Sequence, residues 1–291
     1  MDSLIDRLYL APNWARARVA ARKSPASQGP VSWKEDRGED YLVAASWAST
    51  GLKPNLGDQL APTLVREVLG LTPLQVPLGL SRKILSIGSI VEFARAGDFV
   101  WGTGSLSDKE VSAKGTKFFA VRGPRTKRIL KDAEVPSVFG DPASLLPRFL
   151  PPPQSGLPSV CLVPHYVDQK RFEIAFGQEK NTVNVRSGDL FHAVEKIASA
   201  EVVLSSSLHG IIIAEAYGVP AVWIEPSEEI LGGRHKFLDY FEGVGRSATP
   251  YPLSLGMNGL IAKAKEIRPP ATDELLQAAF VMREEIMRLG R

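Results

Sequence analysis

The chain has 291 residues, of which 44% are hydrophobic and 23% charged, with a formal net charge of +3. Its length suggests about two domains, and its composition is that of a globular protein with a sizeable core. The excess charge sits in the first 23 positions, where Arg7, Arg16, Arg18, Arg22 and Lys23 stand against Asp2 and Asp6, and the rest is balanced. That distribution lacks the broad basic footprint of a nucleic-acid binder.

Residues 1–38 read as a basic arm. Leu4, Leu8 and Trp14 lie among arginines there, the pattern of a helix resting on anionic lipid or packing on its own protein. The arm lacks the uninterrupted apolar stretch of a signal peptide, and no window reaches bilayer-spanning length, so a cytoplasmic location is expected. A strand/helix alternation begins at Tyr41. "YLVAASW", "KILSIGSI", "GDFVWGTGS" and "KFFAVRG" read as short apolar strands, and "SVFGDPAS" as a strand end. Between them "GDQLAPTLVREVLG" and "PRTKRILKDA" read as helices. The proline-rich stretch from Leu146 to Pro158 reads as a linker.

Alternation then resumes with "SVCLVPHY", "NTVNVR", helical "GDLFHAVEKIASA", "EVVLSSS", helical "LHGIIIAEAYG", "PAVWIE" and helical "KFLDYFEGVG". A last helix over "TDELLQAAFVMREEIMRLG" presents Leu275, Ala279, Met282 and Ile286 on one face, with Thr272 as cap. Cys161, alone in an apolar run, reads as a buried hydrophobe in a reducing compartment. The expected fold is α/β, with two Rossmann-like sandwiches over residues 39–150 and 151–291. In this GT-B-like arrangement the strand C-terminal ends face a central cleft.

Candidate chemistry gathers at those strand ends. "VVLSSSLHG" places Ser205, Ser206 and Ser207 where unpaired backbone N–H groups and the helix dipole favour an anion. His209 follows in the first helical turn, with Gly210 leaving room beside it, as a general acid or base. Arg122 ends a strand and can fork onto a carboxylate or phosphate, with Arg125 as competitor. In "KPNLGDQLAP", Asn55, Gly57 and Asp58 sit between strand and helix, with Asp58 suited to capping and Gly57 to close approach of a ligand. Gly102, Gly104 and Ser105 in "WGTGS" bring backbone near a ligand without nucleotide-loop spacing. Asp141 and His165 stand at further strand ends, and lone His192 reads as an ordinary helix-face residue. No metal-ligand spacing and no G-x-S-x-G is present, so neither a metal site nor a serine hydrolase is expected.

"NLGDQLAP", "GTGS", "FFAVRGPRT", "VFGDPA", "LVPHY", "SSSLHGIIIAEAYGVPAVWI" and "HKFLDYF" follow one another in the order found in the polysaccharide pyruvyl transferase family. The resemblance covers roughly Tyr41 to Gly245 and is most specific at the Leu-His-Gly block; it is strongest to the exopolysaccharide branch. It implies phosphoenolpyruvate as donor, no cofactor, and as acceptor a sugar of a lipid-linked oligosaccharide at the inner face of the cytoplasmic membrane, which the basic arm would touch. Arg122 and His209 match the positions expected to engage the donor. His209 is then the acid/base, with Asp58 or Asp141 deprotonating the acceptor hydroxyl. Substrate contacts are expected from the other loop residues above and from Arg186 and Lys236. Many members carry arginine directly before Leu-His-Gly, where this chain has Ser207, so Arg122 or Arg186 would replace it. The alternatives are a nucleotide-sugar glycosyltransferase using Glu225, and a non-catalytic sugar- or anion-binding homologue.

Overall fold

A computed structural model describes residues 42–47, 55–152, 160–177 and 181–289. The basic arm and residues 153–158 of the proline-rich stretch lie outside them. Strands β1 (Leu42–Ser46), β2 (Thr72–Gln75), β3 (Ile84–Leu85), β4 (Phe99–Trp101) and β6 (Lys117–Ala120) form a parallel sheet in the order β2-β1-β3-β4-β6. Both faces are covered, which is why the strands read as continuous apolar runs. Phe99, Trp101 and Ala120 point to one face, and Val100, Phe118 and Val121 contribute to the core on the other. Helix α1 (Leu56–Leu69) follows β1 and ends on left-handed Gly70, whose N–H bonds the carbonyl of Arg66, the usual glycine stop.

The second sheet is also parallel, in the order β10-β9-β8, with β8 at Val160–Val163, β9 at Val202–Ser205 and β10 at Ala221–Trp223. Helices α3 (Gln169–Phe176), α4 (Leu190–Ala198), α5 (Leu208–Ala216), α6 (Gly233–Gly243) and α7 (Gly256–Ile261) surround it. Helix α5 is buried along its whole length. One apolar core joins Leu56, Leu60 and Leu64 of α1 to Cys161, Val163, Val203 and Ile211. The two sheets are therefore cemented together through α1 and α5. The mixed α/β class with parallel sheets is as expected.

Several expected elements differ. "PRTKRILKDA" is helical only over α2 (Pro124–Ile129); Leu130–Lys131 then forms β7, paired with β5 (Val111–Ser112). "SVFGDPAS" supplies one bridge, Val121 to Phe139, followed by a 3-10 helix at Pro142–Arg148. The first residue of the expected linker, Leu146, is therefore core, beside the equally buried Leu145. "NTVNVR" makes one bridge and turns Val183 and Val185 into the core. The last helix, α8 (Asp273–Leu289), packs on the first sheet. Leu275, Ala279, Met282 and Ile286 join Phe99, Trp101 and Ala120, and the Trp101 indole donates to the Leu275 carbonyl at 2.9 Å. Thr272 receives the Arg148 guanidinium on its hydroxyl.

A buried ion pair ties α6 to the first sheet. Arg122, just beyond β6, donates from Nε to Oδ2 of Asp239 at 3.0 Å, and both side chains are fully buried. Asp239 also accepts from the Thr126 amide and hydroxyl. A Cβ on Gly123 would overlap the Asp239 carbonyl, and one on Gly243 would overlap that of Arg122. Asp239→Ala strands the guanidinium without its counter-charge. Urea unfolding is expected to register a loss of about 3–5 kcal/mol.

Candidate active site

The turn after β9 places His209 in the first turn of α5, with Ser207 as N-cap residue. The imidazole lies against Gly57, where a Cβ would overlap the ring. Gly57 thus seats His209 rather than a ligand. On its other side His209 Nε2 is 3.6 Å from Oδ2 of Asp141, and neither atom has a hydrogen-bond partner. Asp141 is fixed by its other oxygen, which accepts from the Ala143 amide at 3.0 Å and so caps the 3-10 helix. Buried polar atoms of this kind ordinarily have hydrogen-bond partners, which makes this pair the candidate for contact with a bound group.

Asp58 stands in the first turn of α1, whose N-cap residue is Asn55; no side-chain cap bond forms. Asn55 Oδ1 is itself buried without a partner. Burial raises the Asp58 carboxyl from 3.8 to about 6, against the opposing pull of His209 and Lys236. Lys236 on α6 is lowered to about 8 by burial and by the positive charge of Arg122, while Asp58 and Asp168 draw it back up. Burial, Lys236, Arg186 and His209 together lower His165 to about 3, so it is neutral. Its amide donates to Ser206 Oγ. Arg186 stacks 3.5 Å over the Tyr166 ring, and its buried Nε is unpartnered. Asp58, Asp141, His209, His165 and Lys236 therefore form one electrostatic cluster, fed from both sheets.

Other expected contacts have structural work instead. Ser205 donates to the Val163 and Ser207 carbonyls and accepts from the Ser207 amide. It braces the turn, and its hydroxyl is not an additional donor for an anion. A Cβ on Gly210 would lie 2.6 Å from both Ser205 Oγ and Val163 Cγ1; its room serves helix–strand packing, not His209. Gly104 seats the Arg122 guanidinium, and Gly102, at φ 88°, seats the Pro142 ring. Arg122 offers no open fork. Beyond Asp239 it donates to Ser89 Oγ at 2.6 Å and to the Ser105 carbonyl at 2.8 Å. Ser105 Oγ lies 2.7 Å from His235 Nε2 on α6. Arg125 pairs with Glu242. Both oxygens of Glu225 accept from Arg234 Nε at 2.8 Å. Asp239, Ser89, Thr126 and His235 were not identified from sequence. Asp239 is 117 positions from Arg122, and the one available signal was its place in the "HKFLDYF" segment.

Residues 77–228, just over half of the chain, match the family model described as polysaccharide pyruvyl transferase. The chain belongs to the polysaccharide pyruvyl transferase family. The matched span holds Arg122, Asp141, His165, the serine turn and His209; Asp58 and Lys236 fall outside it. An uncharacterized protein of Acanthamoeba polyphaga mimivirus, L143, is 29% identical over 177 residues, covering 57% of this chain and 61% of that relative. The chain thus spans less than two thirds of that relative's length. No solved structure matches it. No helix among the described residues is long and apolar enough to cross a membrane.

Within this pyruvyl transferase fold the raised Asp58 carboxyl has a stability consequence. The folded protein holds its proton up to about pH 6, whereas the unfolded chain releases it near the ordinary value. Stability is therefore lost as pH rises through that window. Asp58→Asn is expected to stabilise the protein by roughly 1–3 kcal/mol at pH 7.5, with the gain gone at pH 3.5. Denaturant titrations at the two pH values check this.

Proposed function

We propose that the protein transfers the pyruvyl group of phosphoenolpyruvate to two hydroxyls of a glycan, forming a cyclic ketal and releasing phosphate. The observation that carries this reading is the unpaired His209 Nε2 and Asp141 Oδ2, buried and 3.6 Å apart, at the Leu-His-Gly turn inside the family-matched span. A transferase moving a proton to carbon needs an acid whose proton is held in place in a dry site, the role Asp141 would have beside His209.

In this mechanism His209 delivers a proton to C3 of the enol, and C2 becomes electrophilic. A sugar hydroxyl attacks C2 and gives its proton to a carboxylate. Asp58 suits that step because a carboxyl titrating at about 6 is ionised at neutral pH yet basic enough to accept. The C2–O bond to phosphate then breaks, the second hydroxyl closes the ring, and phosphate leaves with the remaining proton. Lys236 faces the departing phosphate. Its lowered proton affinity reflects a desolvated ammonium that an incoming dianion would satisfy. With Ser207 in place of the arginine common in the family, Lys236 supplies the positive charge, while Arg122, whose Nε donates to Asp239, holds α6 in register. The acceptor in this reading is a sugar of a lipid-linked oligosaccharide reached from the inner membrane face, and no redox or PLP chemistry is required.

The test is ligand-linked stability. At a hundredfold excess over its dissociation constant, phosphoenolpyruvate is expected to add about 2.7 kcal/mol, UDP-glucose nothing, and His209→Ala or Lys236→Ala to diminish the effect. In a phosphate-release assay with acceptor, His209→Ala should lower kcat by about 10²–10⁴-fold. Stabilisation by UDP-glucose alone overturns the reading in favour of glycosyl transfer.

A further inference from the structure

A cavity of about 220 Å³ lies at the C-terminal end of β10. Its walls come from that strand end, from the loop after it and from the first turns of α6. Trp223 and Phe237, stacked with ring centroids 4.6 Å apart, contribute apolar floor, while Glu225, Ser227, Glu228 and Arg234 supply the polar wall. Two carboxylates against one guanidinium leave this wall net negative at neutral pH. Such a wall repels a phosphate or carboxylate ligand and suits a neutral molecule with several hydroxyl donors and an apolar face.

The cavity is linked to the proposed chemistry by two routes. Ser227 donates to Oδ1 of Asp168 at 2.6 Å, and Asp168 is fully buried with Oδ2 unpartnered. The same Asp168 charge acts on Lys236. Helix α6 supplies the second route, since three successive residues point three ways, about 100° apart around the helix. Arg234 lines the cavity, His235 meets Ser105, and Lys236 joins the cluster with Asp58 and His209.

We infer that this cavity is the subsite for the acceptor sugar, with Glu228, Ser227 and Glu225, whose carboxylate also holds Arg234, taking its hydroxyls and the Trp223/Phe237 floor lying under its C–H face. The assignment rests on the pyruvyl-transfer reading and deepens it. The anionic donor goes to the Lys236 ammonium, and the neutral acceptor goes to the acidic cavity one helical step away.

The experiment measures binding of methyl glycosides of glucose, galactose, mannose and N-acetylglucosamine by saturation-transfer NMR and titration. It compares the full chain with Glu225→Gln, which keeps the volume, and Ser227→Phe, which fills it. Phosphoenolpyruvate stabilisation and UDP binding are measured alongside. At least one glycoside is expected to bind, to weaken about tenfold in Glu225→Gln and to be lost in Ser227→Phe, with stabilisation by phosphoenolpyruvate kept in Glu225→Gln. Three results overturn the assignment: no glycoside bound by the wild type, equal affinity in both variants, or UDP bound by the wild type and lost in Ser227→Phe. Glycoside binding lost in Ser227→Phe, with no response to phosphoenolpyruvate in any variant, leaves the sugar subsite standing and removes the pyruvyl donor.

Discussion

The pairing of Arg122 with Asp239 is the constraint on which the site depends. Two charges held wholly out of water are tolerable only when each satisfies the other and the remaining donors and acceptors find partners. Here Ser89, Ser105 and Thr126 complete the set, so four chain segments must meet at one point. Lys236 lies three residues before Asp239 on α6, a spacing that puts both on one side of the helix. Fixing the aspartate therefore fixes the ammonium relative to His209 and Asp58, which other elements carry. The apolar core running from α1 to α5 makes the same junction from the other side.

Much of this was legible in the sequence because parallel strands buried on both faces leave unmistakable apolar runs, and because glycine and proline punctuate them. β1, β4, β6, β8 and β9 and the helices beginning near Gly57 and Leu208 stand where the pattern put them. β2 was missed because "TPLQ" carries a proline and two exposed residues at a sheet edge. "NTVNVR" alternates like a strand, yet its valines are core plugs with a single bridge. α3 hides because it buries one residue, Phe172. Of the clustered side chains, His209, Asp141 and Asp58 were readable as candidates from their strand-end positions. Asp239 was not, since a long-range partner leaves no local periodicity.

Glycines near a strand end invite the thought of a ligand touching backbone. In this protein the open space serves protein groups. Gly57 receives an imidazole, Gly104 a guanidinium, Gly102 a proline ring and Gly123 a carbonyl. The sequence distinguishes a backbone that must be approached from one that can carry a side chain, but it does not say what approaches. Here the approaching groups belong to the protein itself, so these glycines fix the places of His209 and Arg122 within the fold.

The return of α8 to the first sheet bears on how the chain is made. Helix α8 follows the second sheet in sequence, yet its Leu275, Ala279 and Met282 cover Phe99, Trp101 and Ala120. During synthesis the first sheet emerges early and waits, with that face open, until more than a hundred further residues have left the ribosome. The half that appears first on the polypeptide is therefore finished last. Until then the nascent chain carries an uncovered aromatic surface at Phe99 and Trp101.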